Sequence, residues 1–129
     1  VQHRDGVSPA WPITYDTLAP YYDEAERLYH VHSAVGDDPT DPPRGPFPYP
    51  PVPHASGMAA LVDELRAMGL HPSHLPLGLI DPGDSGGCQL CNTCNSFPCR
   101  IRRKSDAEVC AVEPATSYPN VELLTHAFA

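Results

Sequence analysis

Positive charge is scarce in this chain. Its 129 residues carry 8 Lys and Arg against 16 Asp and Glu, for a net charge of −8. A general nucleic-acid binder presents a basic face, so that class is set aside. Long apolar runs are missing too: none approaches the ~20 residues a membrane-crossing helix needs. No secretory leader pattern opens the chain, and a cytoplasmic or a periplasmic setting suits it equally. The short motifs GxGxxG, the P-loop, HExxH and GxSxG are absent, and no internal repeat occurs. His3, His30, His32, His54 and His126 fall at no ligand or triad spacing. No side chain stands out as a general base, so no catalytic residue is expected within these residues.

What is present is cysteine, crowded into one run. Cys88, Cys91, Cys94 and Cys99 fall within twelve residues at the spacing C-x2-C-x2-C-x4-C, and Cys110 follows. Ferredoxin-type iron–sulfur sites use C-x2-C-x2-C because each thiolate must reach a different iron of one compact cluster. The first three cysteines keep that rhythm, but Pro98 precedes the fourth where a proline would follow it. Zinc fits less well, because four ligands this close leave little chain to wrap a tetrahedron, although His71 or His74 can replace one. Disulfides within the run or to Cys110 are a third option, with one cysteine left over from five. Small buried thiols are the fourth. Arg100, Arg102, Arg103 and Lys104 follow directly and hold half of all the positive charge. They suit thiolates, a cluster, a phosphate or plain solvent.

The hydrophobic pattern is that of one modest core at most. A helix is expected after Pro12 and Thr14, with Pro20 in its first turn and Tyr21, Ala25 and Leu28 on its apolar stripe. The turn at Gly36 to Pro39 should close it. Residues 39–53 hold eight prolines in fifteen positions, which rules out helix and central strand. Two readings apply: a ligand for a proline-recognising module, or a rigid arm laid across the same protein with Phe47 and Tyr49 as anchors. The second helix is expected from a Ser56 cap to a Gly69 stop, with Met58, Leu61, Val62, Leu65 and Met68 inward. Residues 70–80 look extended and lead into a Gly-rich loop. Ser105 and Glu108 have capping-box spacing, so a third helix should start near Asp106 and meet a kink or stop at Pro114. Val121 to Thr125 reads as a strand. Helix, turn and strand in that order suit an α/β sheet. Since the chain opens on Val1 and stops within a strand-like stretch, it reads as an internal piece of a longer protein.

The stretch Trp11-Pro12-Ile13-Thr14-Tyr15-Asp16-Thr17-Leu18-Ala19-Pro20-Tyr21-Tyr22-Asp23-Glu24-Ala25-Glu26 resembles a helix of the glucose–methanol–choline (GMC) flavin oxidoreductases. So do Phe97-Pro98-Cys99 through Ala107 and Pro119-Asn120-Val121-Glu122-Leu123-Leu124-Thr125. The similarity covers nearly the whole chain and is nearest to the sugar and gluconate dehydrogenase branch. It implies an α/β (α+β) piece in three parts. Residues 1–80 would belong to the substrate domain with its proline arm at 39–53, and residues 81–104 would form a cysteine-rich connecting loop. Residues 105–129 would re-enter a Rossmann-like FAD-binding domain.

The implied reaction is oxidation of a CH–OH group of an alcohol or sugar-like substrate, with FAD as cofactor. A quinone, a cytochrome or oxygen would be the electron acceptor. The catalytic residues would lie downstream of Ala129, and Ala129 itself would match a position touching the adenine side of FAD, where the family commonly has Val. Some sugar dehydrogenases of the family hold a three-iron cluster in this region. Cys88, Cys94 and Cys99 are the nearest matches, with Cys91 additional and the last interval one residue longer. Two other classes are kept beside this one. They are an iron–sulfur or zinc module for electron transfer or structure, and a non-enzymatic proline-rich interaction module.

Overall fold

The computed structural model describes residues 11–92, 94 and 97–128. Helix α1 runs over Tyr15–Leu28. Thr14 caps it, with the Thr17 N–H donating to Thr14 Oγ1 at 3.3 Å, a contact that typically contributes about 1 kcal/mol. Because the cap falls this early, Pro20 lies inside the helix and not in its first turn as expected. Its ring removes the N–H that would meet the Asp16 carbonyl. The helix ends at Tyr29, before Gly36, because the chain turns through His30 (φ 49°) into strand β1, Val31–His32.

The expected apolar stripe of α1 is not buried. Tyr21 is 66% exposed, and Ala25 and Leu28 are exposed as well. The half-buried face is the charged one, where Glu26 pairs with Arg44 of the proline arm. Arg44 also lies 3.6 Å from the centroid of the Phe47 ring. Tyr49 stacks on His32 at 5.0 Å, and its carbonyl accepts from the Ser33 N–H at 3.3 Å. The arm is therefore anchored on its own chain by Arg44 and Tyr49, while Phe47 packs on Arg44 within the arm. A free peptide ligand would need those aromatics for a partner.

Helix α2 covers Ser56–Ala67. Ser56 is its first residue rather than its cap, and Ala55 stands at the cap with no side-chain bond. The far end follows the sequence expectation. Gly69 has φ +80°, its N–H donates to the Arg66 carbonyl, and the Leu70 N–H donates to that of Leu65. This pair of bonds satisfies the last carbonyls and needs a left-handed residue, which glycine adopts without a Cβ clash. Of the expected inward face only Val62 is buried; Met68 is 74% exposed.

Strand β2, Leu77–Gly78, pairs antiparallel with β1, Val31 opposite Gly78 and His32 opposite Leu77. Two isolated bridges extend this sheet, His32 to Tyr49 and Leu79 to Lys104. Four stretches of chain thus meet around His32, which is 6% exposed. Its Nδ1 lies 2.9 Å from the Pro50 carbonyl oxygen and its Nε2 3.1 Å from that of Leu79.

The third helical stretch begins with a wide turn, Glu108–Val112, and continues as α3, Glu113–Thr116. Its cap is Asp106, not Ser105: Asp106 Oδ1 accepts from the Val109 N–H at 3.0 Å, while Ser105 is buried. Pro114 does not end the stretch, which runs on to Thr116. The Glu113 N–H reaches back to the Glu108 carbonyl, and this widened turn relieves the clash a proline ring makes with the carbonyl four residues earlier. Residues 121–125 form no strand. Leu124 is 72% exposed, and among the described residues nothing pairs with this segment to take up its ladder hydrogen bonds. No helix of the described residues is long and apolar enough to cross a membrane.

Candidate functional site

The loop 81–104 is held from both sides of the cysteine run. The Cys88 N–H donates to the Ile80 carbonyl at 2.8 Å, and the Cys88 carbonyl accepts from Gly83 at 3.0 Å. Gly87 is fixed by close approach, since a Cβ there would lie 1.8 Å from the Asp81 carbonyl oxygen. The basic residues act as staples. Arg102 pairs with Glu108 and Glu113, and the Arg103 Nε–H donates to the Gly86 carbonyl at 2.5 Å. Lys104 Nζ donates to the carbonyls of Cys94 and Phe97, both at 3.4 Å. Arg103 and Lys104 are thus engaged within the loop, and Arg102 ties it to the helical stretch that follows.

The four cysteines fall into different settings. Cys88 is 6% exposed and Cys99 is half-buried. Cys99 Sγ accepts the Arg103 N–H at 3.3 Å. That bond, with further N–H groups of the same turn, holds its thiol below the ordinary cysteine range. Cys91 and Cys94 lie side by side, sulfur to sulfur 3.9 Å. The contact with Cys91 pushes the Cys94 thiol up, and burial adds to it. No disulfide joins any two of the five cysteines. Among the described residues no three Cys, His, Asp or Glu side chains are gathered closely enough to hold a metal ion. As placed, Cys88, Cys91, Cys94 and Cys99 do not fit an iron–sulfur cluster or a zinc ion. His71 and His74 do not complete such a set.

A second constellation was not legible in the sequence. Asp37 Oδ2 accepts two hydrogen bonds from His74, from its backbone N–H at 2.7 Å and its ring Nδ1 at 2.5 Å. These bonds hold the Asp37 carboxyl below the usual carboxylate range. Because a carboxylate oxygen only accepts, the ring Nδ1–H is the donor in this pair. His54 stacks on the same ring at 4.1 Å, with 7° between the planes. His74 lines two cavities. One, of about 130 Å³, is lined by Ser33, Asp38, Asp41, Ser73 and His74 among others. The other, of about 340 Å³, is lined by His54, Met58, His74 and Leu77 among others. Residues 37, 54 and 74 have no shared periodicity, so only the folded chain reveals them. The Asp-Asp-Pro turn gives no sign of them, since in the sequence it reads as a helix terminator.

The FAD contact expected at Ala129 lies outside the described residues, and no described residue can be assigned to that cofactor.

The chain is similar to oxidoreductases. It is 31% identical over 122 residues to paromamine 6'-oxidase of Streptomyces fradiae, an alignment covering 93% of this chain and 21% of that protein. To 6'''-hydroxyparomomycin C oxidase of Streptomyces lividus it is 33% identical over 130 residues, covering 95% of this chain and 23% of the other. A shorter match, 56% over 27 residues, is to 2-methyl-1,2-propanediol dehydrogenase of Mycolicibacterium austroafricanum, covering 21% of this chain and 5% of that protein. The chain thus spans about a fifth of the length of the first two relatives. No family model matches it, and no solved structure does.

Proposed function

We propose that the chain is part of a GMC-type flavin oxidoreductase that oxidises a CH–OH group of a sugar-like alcohol. The observation that carries this reading is the alignment of 93% and 95% of the chain with two oxidases. The Trp11 to Glu26 words and the 97–125 words point the same way. FAD, when bound, supplies the hydride acceptor for this class of reaction. The group that takes the hydroxyl proton is proposed to lie outside residues 1–129.

The part assigned to this chain is substrate-side scaffolding. Both oxidase relatives are named for aminoglycoside-type compounds, so an amino sugar is the first substrate class to assay. Asp38 and Asp41, facing one cavity beside His74, suit the ammonium groups of such a sugar. Two relatives are named oxidases, which favours oxygen as the acceptor. The test is expression of the intact protein. Bound flavin absorbance and peroxide formation with an amino-sugar alcohol are expected, and an intact protein without flavin absorbance overturns the reading.

A further inference from the structure

The misfit between the cysteine run and a metal site leaves the chemistry of the thiols themselves. Among the five cysteines one pair is set apart by position. Cys91 and Cys94 have their sulfurs 3.9 Å apart, and Cys91 is exposed while Cys94 is half-exposed. Reaching the ~2.05 Å of a disulfide asks about 1 Å of movement from each sulfur, which side-chain rotation supplies. The other three sit in different settings. Cys88 is buried under two backbone hydrogen bonds. Cys99 is turned onto the Arg103 N–H. Cys110 is held in the helical turn whose N–H meets the Asp106 carbonyl. Lys104, donating to the Cys94 carbonyl, ties the pair to the sheet edge at Leu79.

We propose that Cys91 and Cys94 form a two-electron dithiol site that closes to a disulfide, with a low-molecular-weight disulfide as its oxidant. One thiolate attacks a sulfur of the oxidant, releasing one small thiol and leaving a mixed disulfide. The second thiolate then displaces the other small thiol. In sum, two cysteine thiols give up two electrons and two protons, and the oxidant leaves as two thiols. The site does not depend on the flavin reading, because it needs neither FAD nor an alcohol substrate.

The experiment equilibrates the intact wild-type protein with oxidised and reduced glutathione, traps thiols by alkylation and maps the peptides. The expected result is loss of two alkylated positions, with the 91–94 peptide lighter by two hydrogens than its dithiol form. Phenylarsine oxide, which bridges two adjacent thiols and releases water, should protect both positions together. In Cys94→Ser, the protection at Cys91 should vanish. Two results overturn the proposal: both positions remaining alkylated across the whole glutathione series, or stoichiometric iron or zinc copurifying with the wild type and holding these cysteines. The wild-type map needs no variant, so the test survives a Cys94→Ser protein that fails to fold.

Discussion

Asp37 collects two donors of His74 on a single oxygen, and that concentration has a measurable consequence. The carboxyl is held below its ordinary 3.8, first by the ring hydrogen bond and next by the backbone one. A lowered carboxyl contributes stability that is complete above the unfolded value and is lost as the pH falls through the folded one. Carbon-13 NMR of the intact protein should show Asp37 titrating below 3.8, and His74→Ala, which removes the ring donor but keeps the backbone N–H, should bring it only part of the way back. Asp37→Asn should cost about 1–2 kcal/mol at neutral pH, allowing for partial exposure of the pair. In chemical denaturation the difference from wild type should shrink as the pH drops below the carboxylate range. A constant difference across that range would refute the assignment.

At the scale of elements, α2 and its Gly69 stop were readable because periodicity and left-handed glycine are local properties. So was the start of α1 at Thr14, although Pro20 misled as to which turn it occupies. Burial was not readable, because it belongs to neighbours: Tyr21 and Met68 sit on the expected apolar stripes and are exposed, while Val62 on the second stripe is buried. The strand expected at Val121–Thr125 failed for the same reason, since a strand exists only with a partner. Cys91 and Cys94 were legible as a crowd but not as a pair. The Asp37–His74–His54 cluster was legible in no way, its members being up to 37 positions apart. Close approach, too, appears only in the fold. Gly87→Ala should cost about 2–3 kcal/mol, because its methyl would collide with the Asp81 backbone. Gly57→Ala, with nothing within 4 Å, should stabilise α2 by about 0.5–1 kcal/mol. Thermal melts of the intact protein would check both, and equal effects would contradict the loop geometry.

Across the whole molecule, the apolar residues buried among those described are Val62 and Cys88. Large apolar side chains among those described stand exposed, Trp11, Tyr21, Met68, Leu75 and Leu124 among them. The 129-residue chain by itself should therefore bind a hydrophobic dye and melt without a sharp transition. A cooperative melt with no dye binding would show that these faces are satisfied internally. What order the chain does have converges on His32, whose ring faces carbonyls 18 and 47 positions away. Closure entropy grows only with the logarithm of loop length, so the longer span costs about 0.9 kcal/mol more than the shorter. That is less than one good hydrogen bond can contribute. Insertions or deletions in the proline arm, or in the stretch through α2, should be cheap so long as the ring stays. Losing the ring opens both loops at once.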